Sequence, residues 1–289
     1  MTAKSIAVLI TSHNRRDMTV ACLAALRCQS LPDGFGYIVY LVDAGSTDGT
    51  VSVIENEFPE VVLIEKDASV FWNEGMRIAF EQAMQAGHDF YLWLNDDTKL
   101  YPNAIAGLLD VYHEAKNRGQ EAIVIGSMCD PETGHRTYGG LRSKSKWRPI
   151  SFAPVVPAAV AQECDTFDGN CVLLPNTAVE MVGGLDSKFR HAMGDTDYGL
   201  RAKKRGIPML VAPGYAGVCR RNPPPVWSDP DTPVLNRLKS LCEPKGLPPA
   251  QWLFFIRRHG GILWPLYWFK FIQRVFFPRS WIKSGGRGV

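Results

Sequence analysis

The feature that most constrains this chain is an alternation of short apolar, β-branched or aromatic runs with helix-patterned stretches. Strand-like runs stand at 6–11, 37–42, 61–65, 90–94, 122–127 and 171–174. Between them, helical patterns run from Asp17 to Cys28, Thr50 to Phe58, Asn73 to Ala86 and Pro102 to Asn117. The runs are continuous in apolarity, as expected for strands buried on both faces, and the order predicts a mainly parallel sheet covered by helices on both sides. Pro102 just inside one helix and Gly87 just after another match the usual asymmetry of helix ends. Two strands run straight into acidic turns, Val-Asp-Ala-Gly-Ser-Thr-Asp-Gly-Thr at 42–50 and Leu-Asn-Asp-Asp-Thr at 94–98. Both turns therefore fall on the carboxyl edge of the sheet, where open α/β folds bind ligands.

With 289 residues, 46% hydrophobic and 21% charged, the chain has ample material for one α/β domain with an appendage. Its seven cysteines, Cys22, Cys28, Cys129, Cys164, Cys171, Cys219 and Cys242, form no C-x-x-C pair, so neither a disulfide framework nor a zinc knuckle is indicated. A reducing cytoplasm is the expected compartment. The first apolar run, Ile6 to Ile10, is too short for a signal sequence and reads as a strand. Neither a P-loop nor a dinucleotide fingerprint occurs, and no nucleic-acid partner is expected.

From 128 to 165 the pattern loosens into Gly, Pro, Ser and basic residues, expected to form a long hairpin or a mobile loop. Regular signals resume with Asp168-Gly169-Asn170, a helix near 177–182, a helix from near Asp195 to Arg205, and a strand from Met209 to Ala212.

Five motifs in register carry a resemblance. They are Thr11-Ser12-His13-Asn14-Arg15, Asp43-x-Gly45-Ser46-x-Asp48-Gly49-Thr50, Asn73-x-Gly75-Met76-Arg77, Asn95-Asp96-Asp97, and Gly194-Asp195-Thr196-Asp197-Tyr198-x-Leu200-Arg201. Together the chain, from about residue 5 to 220, resembles an inverting family 2 glycosyltransferase of GT-A fold, of the bacterial polysaccharide, O-antigen, rhamnosyl or galactofuranosyl-transferring type. The resemblance implies a Rossmann-like catalytic domain at 1–220 and a C-terminal aromatic and basic helical segment at 221–289. It also implies transfer of a sugar from a UDP- or dTDP-sugar to a hydroxyl of a saccharide or lipid-linked saccharide.

On this resemblance Thr11, Asn14, Asp43, Gly45, Asp48, Asn73, Arg77, Asn95 and Asp96 line the nucleotide site. A carboxylate at Asp43 suits a nucleobase or ribose, because it accepts from their N–H and O–H donors. The bland reading of the 45–50 turn, as ordinary turn and cap residues, stays open. Asp97 is the expected ligand of Mg²⁺ or Mn²⁺, hard cations that favour oxygen donors and bridge diphosphates. Asp195 aligns with the catalytic acid of the family and is expected to be the general base, with Asp197 as its support; at a helix start one carboxylate can face the site while the other caps backbone N–H groups. Gly194 stands where Glu is commoner, and Cys219 stands where many relatives place a metal-binding His. Thiol is a poor match for Mg²⁺, so Cys219 only packs, water completes the metal shell, or the metal preference is altered; His191 is the expected substitute as an extra metal ligand or acceptor contact, or else an ordinary satisfied histidine. Asp168 and Asn170 occupy the acceptor side, with Tyr138 and Trp147 in the preceding basic loop.

Eight of the 32 Lys and Arg residues follow Glu243, and none of the 29 Asp and Glu residues does. Residues 252–277 are rich in aromatics but offer no uninterrupted stretch near the ~20 residues that span a bilayer. If 266–277 is helical, Tyr267, Lys270, Gln273 and Arg274 form a narrow polar stripe on an otherwise apolar helix, a pattern that fits a membrane interface, a packed helical pair or a homodimer contact. Two rival functions remain at this level: a sugar-1-phosphate nucleotidyltransferase, disfavoured because Thr11 to Arg16 lacks glycine, and a catalytically silent nucleotide-sugar-binding protein.

Overall fold

The computed structural model describes residues 4–279. Lys283 and Arg287, two of the tail cations, lie outside the described residues.

Strands β1 (Lys4–Ser12), β2 (Phe35–Ala44), β3 (Val62–Lys66) and β4 (Phe90–Leu94) alternate with helices α1 (Arg16–Arg27), α2 (Thr50–Glu57) and α3 (Trp72–Ala86). They are followed by β5 (Lys99–Leu100), α4 (Ala104–Asn117), β6 (Ile123–Cys129), β7 (Gly140–Ser145), β8 (Arg148–Pro154), β9 (Gln162–Glu163), β10 (Thr166–Phe167) and β11 (Cys171–Pro175). Helices α5 (Asn176–Val182) and α6 (Gly194–Lys204), then β12 (Met209–Val218), complete the sheet region. The main sheet has the order β3-β2-β1-β4-β11-β6-β12-β5.

The first four strands are parallel and end nearly level, with Ser12 opposite Asp43 and Leu9 opposite Trp93. The sheet is mainly parallel as expected, with β6 and β12 running in the direction of β1–β4, but β11 runs antiparallel to both β4 and β6. That reversal has a functional result. Cys171 lies opposite Leu94, so the residues just before β11, Asp168 to Asn170, arrive at the carboxyl end of β4. Strand β12, parallel to β6, delivers Cys219 to the same edge.

Side chains of each strand alternate between two cores, as the strand period of two requires. Ile6, Val8 and Ile10 of β1 pack with Leu23, Leu26, Ile105 and Leu109 from α1 and α4. Ala7 and Leu9 face Met76 and Phe80 of α3, Val179 of α5 and Tyr198 of α6. Trp93, Phe80 and Tyr198 are fully buried at the centre of this second core, and each such burial contributes roughly 1.5–3 kcal/mol.

The 128–165 stretch takes the hairpin form: β7 and β8 pair antiparallel and β10 joins them in a three-stranded sheet. Beyond β12, helices α7 (Val234–Cys242), α8 (Pro249–His259) and α9 (Trp264–Phe276) pack back on this unit. Phe255 and Ile256 of α8 join Ile150, Phe189 and Leu200 in a third core. Phe271 and Val275 of α9 join Trp227 and Leu241 in a fourth. The polar stripe expected on α9 is split by this packing. Arg274 turns inward, its guanidinium 4.5 Å from the Trp227 ring, and Tyr267 packs against the third core. Among the described residues no helix is long and apolar enough to cross a membrane.

Candidate active site

Asp43 ends β2 and is 1% exposed. Its Oδ2 accepts the Ser46 N–H at 2.8 Å, while Oδ1 is buried without a partner. An unpaired buried carboxylate oxygen costs free energy, so this atom is poised for a ligand donor. The turn after it is held shut by reciprocal bonds with the loop after β1. Asn14 takes a left-handed φ of 51°, its N–H donates to Ser46 Oγ at 2.8 Å, and its Oδ1 accepts the Thr47 N–H at 2.8 Å. Asp48 accepts N–H bonds from Arg16 at 3.0 Å and Thr50 at 3.1 Å. Gly45, at φ 67°, lies so close to the next loop that a Cβ would stand 2.7 Å from the Ala68 nitrogen. Asn14, Gly45 and Asp48 therefore build the cradle, while Thr11, 8% exposed near the end of β1, turns its hydroxyl against Gly75 of α3.

Arg15, quoted only as part of a motif, has a role that sequence reasoning missed. Its Nη1 donates at 3.0 Å to Asp96 Oδ1 and at 3.0 Å to Asp97 Oδ2. Asp96 is 4% exposed, and burial, partly offset by Arg15, pushes its carboxyl up to about 6. Asp97 Oδ1 accepts the Cys219 thiol at 3.4 Å, and Cys219 in turn accepts from Asn170 Nδ2 at 3.6 Å. Burial together with the Asp97 charge pushes Cys219 up to about 12, so it is a neutral thiol. Asn95 Oδ1 accepts the Trp72 indole N–H at 2.8 Å, a second link not foreseen.

Asp195 sits in the first turn of α6, directly after Met193, whose φ of 70° is rare outside glycine. Its Oδ2 accepts the Gly169 N–H at 2.9 Å and its Oδ1 the Thr196 N–H at 2.7 Å. Burial lifts its pKa above the ordinary carboxylate range, against these two hydrogen bonds. Asp168 is its neighbour. Burial and the Asp195 charge push Asp168 up to about 6, although its Oδ2 accepts the Gly139 N–H at 3.0 Å and lies 3.6 Å from the Arg136 guanidinium. Two acids of raised pKa side by side are typical of sites that move protons.

Asp197 does not cap a helix. It is fully buried, with Oδ1 accepting from Arg258 at 2.9 Å and His259 at 2.8 Å, and Oδ2 accepting from Arg201 at 2.8 Å. Despite burial, His259 and Arg201 hold its pKa below the usual value. Asn73 is equally enclosed, its Nδ2 donating to the carbonyls of Phe189 at 2.7 Å and Asp186 at 3.1 Å. This explains Gly194: any Cβ there would collide with the Asn73 amide, so the Glu usual at this position has no room. Arg77 pairs with Glu81 one turn along α3 and lines a cavity of about 220 Å³ with Glu74, Ser187, Phe189 and Arg190. His191 packs edge-on against Phe71, and burial with the charges of Lys245 and Arg15 pushes it down to about 4. Trp147 is 76% exposed at the tip of the β7–β8 hairpin, while the Tyr138 hydroxyl accepts the Asn222 N–H at 2.8 Å.

Among the described residues no three His, Cys, Asp or Glu side chains are grouped to hold a metal ion by themselves. Asp96 and Asp97 do fit a hard cation that relies on one or two carboxylates, waters and substrate phosphates, whereas the Cys219 thiol does not.

The chain matches the family model described as Glycosyl transferase family 2 over residues 7–155. It is 25% identical over 257 residues to an N-acetylglucosaminyl-diphospho-decaprenol L-rhamnosyltransferase of Mycobacterium tuberculosis, covering 80% of this chain and 78% of that protein. Its fold resembles that of S. aureus TarS. Residues 1–349 of TarS in complex with UDP-GlcNAc superpose with a TM-score of 0.52 at 13% identity, covering 86% of this chain and 66% of that one. A second TarS structure gives a TM-score of 0.54 at 13% identity, covering 90% of this chain and 44% of that one.

Proposed function

The chain belongs to glycosyl transferase family 2, and from that premise we propose that it moves a sugar from a nucleoside-diphosphate donor to a hydroxyl of a lipid-linked saccharide, inverting the anomeric carbon. Its relative in M. tuberculosis is named for a polyprenyl-diphosphate saccharide acceptor, which supports that acceptor class and a place at the inner face of a membrane. Family membership sets aside the nucleotidyltransferase alternative. Residues 1–220 form the catalytic unit in this reading, and 221–289 the appendage.

The observation that carries the reading is the half-buried Asp195 carboxylate, held by the Gly169 and Thr196 N–H groups beside Asp168, on the edge that also bears Asp97. Asp195 takes the proton of the acceptor hydroxyl as its oxygen bonds to the anomeric carbon. The bond from that carbon to the diphosphate oxygen breaks on the opposite side, and the nucleoside diphosphate leaves with the electron pair. Asp43 Oδ1 accepts a hydrogen bond from the nucleobase or ribose, with Thr11 at its side. A divalent cation such as Mg²⁺ or Mn²⁺, held by Asp97 with Asp96, supplies neutralisation of the leaving phosphate charge. Arg15, which bonds both carboxylates, would have to release at least one of them to admit the cation, and its guanidinium would then be free to pair with the diphosphate.

Asp195→Asn tests the assignment. Loss of a positioned base lowers turnover by roughly 10²–10⁴-fold. The donor-induced rise in melting temperature, screened over UDP- and dTDP-sugars, should stay as in the wild type. Retention of transfer within threefold would remove Asp195 from the mechanism.

A further inference from the structure

Among the described residues, the packing of the C-terminal appendage leaves one face of α9 uncovered. Ile262, Leu266, Phe269, Ile272, Phe276 and Phe277 are exposed by 86%, 55%, 65%, 38%, 45% and 64% respectively. Their spacing places them on a single side of the helix, opposite the buried Phe271 and Val275. The face is not a frayed end. Arg258 binds Asp197 at 2.9 Å and Asp186 at 2.7 Å, the Arg258 carbonyl accepts Lys204 Nζ at 2.6 Å, and Phe255 meets the Phe189 ring edge-on, so the appendage is anchored to the catalytic unit.

We infer that this face docks on an anionic phospholipid surface, with α9 lying in the plane of the headgroups. Helix α9 has 13 residues, about 20 Å of length, too short to cross a bilayer and long enough to lie along one. Its outward face carries Leu266, Phe269, Ile272 and Phe276, extended by Ile262 in the turn before it and Phe277 just after it, with only Gln273 and Lys270 as polar interruptions. Exposed Lys270 and Arg257 border it, Arg257 lying 5.7 Å from the Trp264 ring, while Arg279 is shared with Asp231. No acidic residue occurs from Pro244 to Arg279. An apolar helix face bordered by cations and aromatics is the composition of an interfacial helix. A second copy of the chain is a poorer match, because a two-fold contact through this face sets basic borders against each other with no acidic complement.

The inference stands apart from the glycosyl-transfer reading, since binding is measured without donor or acceptor. The full chain is sedimented with vesicles of phosphatidylcholine alone, and with vesicles containing roughly one third phosphatidylglycerol. The wild type should partition to the anionic vesicles, and replacing Leu266 and Phe269 together by Glu should lower the partition coefficient by at least about tenfold. Both side chains are more than half exposed, so the variant should keep its melting temperature; Phe269→Ser provides a milder second variant with a smaller loss in the same direction. Arg257→Glu with Lys270→Glu should weaken binding to anionic vesicles and leave the weak binding to neutral ones unchanged. Absence of wild-type binding, or binding by the Leu266 and Phe269 variant within twofold of wild type, overturns the inference. So does light scattering that shows a dimer, dissolved by that same variant, in a protein that ignores vesicles.

Discussion

Replacing Asp197 by Asn probes how the appendage and the catalytic helix are joined. The substitution keeps the volume of a fully buried side chain but removes the charge met by Arg201 at 2.8 Å, Arg258 at 2.9 Å and His259 at 2.8 Å. The side chains of Arg201 and Arg258 are 19% and 29% exposed, so neither recovers full hydration. Removing one partner of a buried ion pair costs about 3–5 kcal/mol. At roughly 2 °C per kcal/mol for a protein of this size, the melting temperature at pH 7 should fall by about 6–10 °C. The folded-state pKa of Asp197 is depressed, so its contribution is present above the ordinary carboxylate value and disappears as pH falls through the folded value. The gap between wild type and variant should therefore be constant from pH 7 down to about 5 and close only in stronger acid. Calorimetry at several pH values, with Arg258→Met to complete a double-mutant cycle, gives both the size and the coupling. A fall below about 2 °C, or a gap that closes already near pH 6, would refute the claim that this carboxylate anchors α8 to α6.

Three further outcomes follow from the site. Asp168→Asn removes a negative neighbour of Asp195, so the acid limb of kcat/KM should move to lower pH; an unchanged or upward limb would mean the two carboxylates do not sense each other. Gly194→Glu, which restores the residue commoner in the family, should destabilise the protein by at least about 1–3 kcal/mol through overpacking on Asn73. Adding Asn73→Gly should recover part of that loss in a thermal melt, and no recovery would place the clash elsewhere. Cys219→His sets an imidazole beside Asp97 in place of a neutral thiol and should tighten Mn²⁺ binding, measured by calorimetry on the donor-free protein. Equal or weaker binding would show that position 219 is remote from the cation.

Much of this architecture is legible in the residues because continuous apolar runs and helical periodicity are physically tied to buried strands and covering helices. The orientation of β11 was not legible, since Cys-Val-Leu-Leu reads the same in a strand of either direction and only the pairing decides it. The acids at 43, 97 and 195 reach the same sheet edge because Asp43 lies at the end of β2, Asp97 in the turn that follows β4, and Asp195 at the start of α6. What the sequence conceals is side-chain traffic across loops. Asn73 lies in a nucleotide-site motif yet is spent on the carbonyls of Phe189 and Asp186. Asp197, two residues from the proposed base Asp195, is spent on cations from two helices. The partnership of Arg15 with Asp96 and Asp97 spans more than 80 residues and has no local signature beyond a basic residue just after the first strand.

That Arg15 bridge changes what ligand entry means. Two adjacent acids on a bare sheet edge would repel and would draw any cation in solution, but here a tethered guanidinium already bridges them and offsets one of their two charges. Were a cation to enter with a diphosphate, Arg15 would have to give up at least one of these carboxylates, and the freed guanidinium would then be available to the incoming anion.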